Sequence, residues 1–192
     1  PPDHAKITVD ILKKYYTSKQ LKTKTYVDGT SNVGGNIFPV AKLVKKMICV
    51  EIDKLTSEIL EHNLRTFYTQ KNFKKIQVLN EDFTKFNFKK HNPDILFIDP
   101  PWGGKKYKQL KDKEMYLSGV PMSKLLMDQW AVIADLIILR VPMAYPTHRL
   151  ISVNKIRNFR QIDLKTNYGR NIYKLLIFSK DPPIGNISKK IV

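Results

Sequence analysis

Short apolar segments alternate with amphipathic segments along most of the chain, and this alternation restricts the fold more than any other feature. The segments predicted as strands are Thr25–Asp28, Met47–Ile52, Ile76–Leu79, Asp94–Ile98 and Leu136–Val141. Between them, apolar residues recur three or four positions apart, which is the spacing of helices with one buried face. The alternation predicts an α/β fold with a mostly parallel sheet that helices cover on both faces.

The last two apolar segments predict a different connection. Phe159–Leu164 and Ile172–Phe178 flank Tyr168-Gly169-Arg170, so we expect an antiparallel hairpin at the end of the sheet. A chain of 192 residues suits one hydrophobic core. We expect one domain over residues 1–180 and a C-terminal tail over residues 181–192.

Charge is the most unusual property of the composition. The chain has 34 Lys and Arg against 17 Asp and Glu, a formal net charge of +17. A field of this sign attracts polyanions, of which nucleic acid is the commonest, although the amino-acid bias of an AT-rich genome explains part of the excess. Such a composition suits a large DNA virus or an AT-rich protist.

Several classes are excluded or disfavoured by residues that are missing from the sequence. Cys49 is the only cysteine, which excludes an intrachain disulfide and favours a reducing compartment. No apolar run approaches the roughly 18 residues that span a bilayer. The four histidines are far apart in sequence. We therefore expect a soluble intracellular protein, cytoplasmic or nuclear, with no metal site and no membrane partner.

Polar residues follow the first three predicted strands, where ligands bind in open α/β sheets. The loop after the first strand supplies Asp28, Gly29, Thr30, Asn32, Gly34, Gly35 and Asn36. Its glycines allow the backbone close to a ligand, and the following helix adds free N–H donors.

Acidic residues follow the next two strands. Glu51, beside Ile52, can accept hydrogen bonds from two ribose hydroxyls. Asp82 and Phe83 offer a carboxylate for an adenine amine and a ring to flank the base. Together with the glycine loop, these residues predict a pocket for an adenosine-bearing cofactor. A dinucleotide-binding Gly-x-Gly-x-x-Gly and a phosphate-binding P-loop are both missing.

The fourth strand ends at the most specific motif, Asp99-Pro100-Pro101-Trp102. Proline has a fixed φ and no N–H group, so two consecutive prolines make the turn stiff. The carbonyl oxygens of the turn are left without hydrogen-bond partners within the chain. Those acceptors and the Asp99 carboxylate suit an exocyclic amine, and Trp102 can stack on the base that carries it. We therefore predict methyl transfer to an exocyclic amine of a nucleic-acid base, with Asp99, Pro100, Pro101 and Trp102 as the catalytic turn.

At these motifs the sequence resembles the RNA cap guanine-N2 methyltransferase family, that of trimethylguanosine synthase. The resemblance lies in Val27-Asp28 through Asn36, and in Pro100 to Gly104 followed by Tyr107. It implies the class I, Rossmann-like methyltransferase fold, S-adenosylmethionine as methyl donor and N2 of a 7-methylguanosine RNA cap as acceptor. It also implies that Trp102 stacks on the cationic base. We expect Gly103, Lys105, Tyr107 and Arg140 to contact the substrate.

Departures from the family pattern keep other functions open. Cellular members commonly have serine where this chain has Asp99, and Asp-Pro-Pro-Trp is shared with adenine-N6 methyltransferases. After the fifth strand, Val141-Pro142-Met143-Ala144 replaces a segment whose arginine lies near cap phosphates, so we expect Arg140 or loop lysines to substitute. The first expectation is guanine-N2 transfer on capped RNA by a monomer that can also meet a capping or transcription partner. The alternatives are adenine-N6 transfer on RNA or DNA and a non-catalytic RNA-binding module.

Overall fold

The computed structural model describes residues 2–102, 113–151, 158–165 and 171–185. Its first half alternates helices and strands, in the order α1 (Pro2–Tyr15), α2 (Ser18–Leu21), β1 (Thr25–Asp28), α3 (Ile37–Ala41), β2 (Lys46–Glu51), α4 (Lys54–Phe67), α5 (Gln70–Phe73), β3 (Ile76–Asn80), a 3₁₀ turn (Phe83–Lys85), α6 (Phe88–His91) and β4 (Ile95–Ile98). The predicted strands are therefore confirmed to within one or two residues at each end.

The second half carries a small hairpin and the end of the sheet. Its elements are β5 (Tyr116–Leu117), β6 (Val120–Pro121), α7 (Met122–Leu125), a π-helical turn (Leu126–Trp130), α8 (Ala131–Ile133), β7 (Leu136–Pro142), α9 (His148–Ile151), β8 (Asn158–Lys165) and β9 (Asn171–Ser179). The β5–β6 hairpin and the π-helical turn were not predicted. Tyr168-Gly169-Arg170, between β8 and β9, lies outside the described residues.

The main sheet has the order β3-β2-β1-β4-β7-β9-β8. The pairings of β1 with β2 and β4, of β2 with β3 and of β4 with β7 are parallel. β9 is antiparallel to both β7 and β8. This arrangement confirms the predicted α/β fold with a closing antiparallel hairpin, and it brings the ends of β1, β2 and β4 to one edge of the sheet.

One core layer lies on each face of the sheet. On one face, α1, α3 and α4 bury side chains such as Leu12, Ile37 and Leu60. On the other face, Phe83 and the helical segment around Trp130 pack against the strands. Trp130 has no exposed surface, so it belongs to this core layer.

The N- and C-terminal parts of the described chain meet at the surface. The backbone N–H of Ile184 donates to the Lys14 carbonyl at 2.7 Å, so the chain beyond β9 remains against the end of α1. Within the described residues, no helix has the length and apolarity that a membrane span requires.

The predicted helix after the first glycine loop is shorter than expected. The spacing of Ile37, Val40, Ala41 and Val44 predicted a helix that includes Val44, but α3 ends at Ala41. Val44 is still buried, because the chain turns after α3 to enter β2 and keeps the same apolar side chain against the core.

Candidate active site

The turn after β1 is bonded to both neighbouring strands. The Gly29 N–H donates to the Phe97 carbonyl of β4, and the Ser31 N–H donates to the Val50 carbonyl of β2, each at 2.9 Å. These two bonds continue the parallel ladders beyond the last residue of β1. The start of the loop is therefore fixed in position relative to β2 and β4.

Thr30 connects this loop to the catalytic turn after β4. Its hydroxyl oxygen accepts a hydrogen bond from the Asp99 N–H at 2.7 Å, and its own N–H donates to the Asp28 carboxylate at 3.1 Å. The predicted cofactor loop and the predicted catalytic turn are thus joined directly by the Thr30 hydroxyl. The sequence predicted Thr30 as a cofactor-loop residue and did not predict its bond to the catalytic turn.

Gly29 is required by a neighbour in the core. A Cβ atom at this position would lie 2.6 Å from two ring carbons of Phe83. The Phe83 ring is 2% exposed and packs against Phe86 and Trp130, with ring centroids 5.3 and 5.8 Å away. Phe83 therefore supports the loop from below, and its predicted contact with the base of a cofactor stays a prediction.

Gly34 has two reasons to be glycine. Its φ of +98° lies in the region that L side chains rarely adopt, and a Cβ there would lie 2.9 Å from a methyl group of Leu60. Gly35 differs, because no atom lies within 4 Å of the position of a Cβ. The space beside Gly35 is thus open to a ligand.

Glu51 fixes the second side of the loop. One carboxylate oxygen accepts from the Asn32 N–H at 2.9 Å and the other from the Asp53 N–H at 3.0 Å. Each oxygen keeps a further lone pair for another donor, so the carboxylate can still accept from ribose hydroxyls. Ile52 is 60% exposed beside it, and its predicted contact with a cofactor stays a prediction.

Asp82 begins the 3₁₀ turn after β3 and accepts hydrogen bonds from the N–H and the hydroxyl of Thr84 at 2.9 and 2.8 Å. Burial acts to raise the pKa of Asp82, but the bonds from Thr84 outweigh it, and the pKa lies below its ordinary value. Asp82 is therefore ionised and anchored locally. Its predicted bond to an adenine amine stays a prediction.

Asp28 is the most deeply buried carboxyl at this edge, with 1% of its surface exposed. Burial raises its pKa to about 7, and the negative charges of Asp99 and Glu51 act in the same direction. The Thr30 N–H and Arg140 act against this increase. Asp28 therefore lies beneath the loop as a group near its titration point at neutral pH.

Two cavities meet at Asp99 and Arg140. The larger, about 850 Å³, lies beside the glycine loop and is lined by Ala5, Thr30, Ser31, Asn32, Val33, Gly35, Asn36, Phe38, Pro39, Lys42, Phe67, Asp99 and Arg140. The smaller, about 460 Å³, is lined by Asp99, Pro100, Trp102, Arg140, Ile172 and Tyr173. The larger cavity thus brings Thr30, Asn32, Gly35 and Asn36 of the predicted loop together with Asp99 of the predicted catalytic turn, whereas the predicted cofactor residues Glu51 and Asp82 line neither of the two cavities.

That ion pair joins β4 to β7. Arg140 Nη1 donates to Asp99 Oδ2 at 2.6 Å, and Nη2 donates to Asn36 Oδ1 at 3.2 Å. Burial raises the pKa of Asp99, while the Arg140 guanidinium opposes the increase. Arg140 was predicted to contact the phosphates of a substrate. Its guanidinium is instead bonded to two residues of the site, so contact with phosphates stays a prediction.

Trp102 lines the smaller cavity. It is half-buried and packs against the core layers on both faces of the sheet. Its ring centroid lies 6.2 Å from that of Tyr173, with the planes at 55°. Gly103, Lys105 and Tyr107, which were predicted to contact substrate, lie outside the described residues.

Sequence reasoning missed the side chains that complete the two cavities. Tyr173 and Ile172 come from β9, and Ala5 comes from α1, far from any motif. Lys42 and Phe67 form the outer part of the larger cavity, with the Lys42 ammonium 5.3 Å from the centre of the Phe67 ring. Phe67 is 56% exposed, although its helical spacing from Leu60 and Leu64 predicts a buried position.

The site can hold an adenosine-bearing sulfonium. The larger cavity is of the size that small-molecule cofactors need, Gly35 leaves room for close approach, and Glu51 retains free acceptor positions. The Asp99 carboxylate in the wall of this cavity can provide negative charge near a cationic centre. Among the described residues, no group of three or more His, Cys, Asp or Glu could hold a metal ion.

The fold and the site together define a class I S-adenosylmethionine-dependent methyltransferase. Solved structures of this class superimpose on the chain. A 16S rRNA N2 methyltransferase from Thermus thermophilus, in complex with AdoMet and guanosine, has a TM-score of 0.64 at 16% identity, over 92% of this chain and 43% of that one. Magnesium protoporphyrin IX methyltransferase from Synechocystis, with bound SAM, has a TM-score of 0.68 at 11% identity, over 94% and 79%.

The chain belongs to the RNA cap guanine-N2 methyltransferase family, whose model matches residues 23–178. S-adenosylmethionine is accordingly its cofactor. An uncharacterised protein of Acanthamoeba polyphaga mimivirus is 27% identical over 133 residues, 66% of this chain and 49% of that protein. Trimethylguanosine synthase of Schizosaccharomyces pombe is 30% identical over 90 residues, which are 45% of this chain and 37% of that protein. The chain thus spans half or less of the length of these two relatives.

Proposed function

We propose that the chain transfers a methyl group from S-adenosylmethionine to the exocyclic N2 of a 7-methylguanosine RNA cap, and that residues 1–180 are the methyltransferase domain. One observation carries this proposal: the cavity beside the glycine loop and the cavity beneath Trp102 share one wall, formed by Asp99 and Arg140. A cofactor in the first cavity and a base in the second would meet at the catalytic turn.

The cofactor supplies an electrophilic methyl group on a sulfonium when it is bound. The residues of the chain then have to bind and aim the amine. The Asp99 carboxylate and the carbonyl oxygens of the Pro100–Pro101 turn accept hydrogen bonds from the two amine protons. This directs the nitrogen lone pair away from those acceptors and toward the larger cavity. No strong base is needed, because the amine proton can leave after the methyl group has been transferred.

Trp102 holds the base. A 7-methylguanine carries a positive charge, and an indole face attracts a flat cation more strongly than a neutral ring. The half-buried Trp102 and the nearby Tyr173 ring give the smaller cavity two aromatic surfaces. Lys105, Gly103 and Tyr107 follow directly in sequence, so we propose that they contact the cap, and the net charge of +17 favours RNA as the partner.

Transfer of labelled methyl from S-adenosylmethionine tests the proposal. Two matched short RNAs are compared, one capped with 7-methylguanosine and one uncapped and rich in adenine, and the products are digested to nucleosides. Label in an N2-methylated guanosine of the capped RNA is expected. Label in adenine alone would assign adenine-N6 chemistry, and binding of both RNAs without transfer of label would assign a non-catalytic module.

Trp102→Ala tests the stacking role in the same assay. We expect loss of transfer to capped RNA, because base stacking contributes about 1–3 kcal/mol per base. The Kd for S-adenosylmethionine should change no more than a few-fold. Trp102→Phe retains an aromatic face and should keep part of the activity. Full activity in Trp102→Ala would show that the indole does not hold the base.

A further inference from the structure

Arg140 is held on three sides by residues of the site. Its guanidinium donates to Asp99 and to Asn36, and its Cζ atom lies 4.7 Å from the centre of the Tyr173 ring. Only 12% of the side chain is exposed. A guanidinium fixed in this way has one orientation, in contrast to an arginine that reaches into solvent for a phosphate.

The guanidinium also fixes Asp99. Its bond to Oδ2 occupies one of the roughly four acceptor positions of the carboxylate, and the Trp102 side chain also interacts with this carboxyl group. Because Asp99 and Arg140 line both cavities, the remaining acceptor positions lie where a base and a cofactor would meet. Arg140 therefore determines the direction in which Asp99 accepts hydrogen bonds.

The charges around Asp99 come from several elements. Asp28 on β1 is negative when ionised, and burial raises its pKa to about 7. Tyr173 on β9 is neutral at physiological pH, since burial raises its pKa to about 12. Lys42 after α3 lines the larger cavity. Arg140 on β7 makes the only salt bridge with Asp99 among the described residues, and it opposes the effect of burial on the pKa of Asp99.

We propose that Arg140 is a positioning residue that determines base specificity: by pairing with Asp99 it keeps an ionised, correctly aimed carboxylate that accepts two adjacent donors from the base. The choice of guanine rests on the proposed function. The Watson–Crick edge of guanine presents N1–H beside the exocyclic amine. Adenine presents an amine beside an unprotonated N1, whose lone pair would face a carboxylate oxygen. When Asp99 accepts from both of these neighbouring positions, its ionised form therefore favours guanine, whereas a neutral Asp99 could donate to the adenine N1.

The electrostatic part is tested without substrate. Protein labelled with ¹³C at the aspartate carboxyl groups is titrated by NMR, with Asp99→Asn used to assign the Asp99 resonance. In Arg140→Met we expect the Asp99 titration to move to higher pH by about one unit or more, a tenfold change in the protonation equilibrium. Arg140→Lys keeps the charge and should move it less. An unchanged titration in Arg140→Met would overturn the proposal, whatever the activity.

The specificity part is tested with the two RNAs of the transfer assay. In Arg140→Met we expect kcat/KM for capped RNA, relative to wild type, to fall more at the acidic end of the pH profile than at the alkaline end, with a smaller preference for guanine over adenine and partial rescue in Arg140→Lys. A raised KM for capped RNA at every pH, with an unchanged base preference, would overturn the proposal and assign Arg140 to phosphate binding. Wild-type protein that transfers methyl to neither RNA would refute the proposed function, while the NMR titration would still decide the role of Arg140.

Discussion

Replacement of Gly29 by alanine separates two reasons for a glycine in the loop after β1. The sequence suggests that the backbone approaches a cofactor there, whereas the structure shows a core ring against the same position. A Cβ at Gly29 would lie 2.6 Å from Cδ1 and Cε1 of Phe83, while ordinary contacts begin near 3.4 Å. The ring cannot swing away easily, because Phe86 and Trp130 pack against it.

The expected cost of Gly29→Ala follows from that overlap. Overpacking of a well-packed core costs about 1–3 kcal/mol, and each kcal/mol lowers the Tm of a domain of this size by about 2–4 °C. We therefore expect a Tm lower by roughly 2–12 °C. Affinity for S-adenosylmethionine should fall as well, since the Gly29 N–H bond to Phe97 holds the loop in place.

Gly35→Ala is the matched control, because a Cβ there meets open space. The unfolding free energy of this variant should change by less than about 1 kcal/mol. Any loss of cofactor affinity would then report contact with the ligand itself. Gly29→Ala combined with Phe83→Leu should recover part of the lost stability, as expected for two residues in contact. Thermal unfolding and isothermal titration calorimetry measure both quantities. An unchanged Tm in Gly29→Ala, or purely additive effects in the double variant, would refute the overlap with Phe83.

Two further variants examine the carboxylates of the site. Burial raises the folded-state pKa of Asp28 to about 7 from an ordinary value of 3.8, so its contribution to stability is full below pH 4 and is lost as the pH rises through 7. In Asp28→Asn this loss should disappear, and a difference in unfolding free energy between wild type and variant that is constant from pH 4 to 8 would contradict it. Glu51→Ala frees the Asn32 and Asp53 N–H groups and should weaken S-adenosylmethionine binding about tenfold or more, since hydrogen bonds to a charged group contribute about 1.5–3 kcal/mol. Unchanged affinity by calorimetry would remove Glu51 from the cofactor site.

The strands and their order along the chain could be predicted, because each strand has its own apolar pattern within a few consecutive residues. Ile95–Ile98 is apolar at every position, and all four side chains have no exposed surface. The closing hairpin was equally visible, since its two apolar segments flank Tyr168-Gly169-Arg170 in the sequence. The end of α3 and the π-helical turn at Leu126–Trp130 could not be predicted, because both depend on how a helix meets the sheet rather than on its own spacing.

Contacts between residues that are distant in sequence could not be predicted, because local sequence patterns do not show them. Gly29 and Phe83 were each singled out as residues that contact a cofactor, yet they contact each other. Thr30 bonds the Asp99 N–H across 69 positions. Periodicity indicates which face of an element is buried, but it does not indicate which residue of another element will lie opposite.

Asp99 and Arg140 illustrate how such a pair changes the interpretation of separate residues. In sequence they are two departures from the resemblance: an acid where serine is common, and an arginine just before a segment that lacks the usual one. In the structure they are joined at 2.6 Å. A carboxylate that is mostly buried without a counter-charge would be costly and would tend to take up a proton. The arginine on β7 removes that cost only where the acid is present, so each residue explains the other. The two departures are therefore one feature, a charged acceptor with its own counter-ion at the wall between the two cavities.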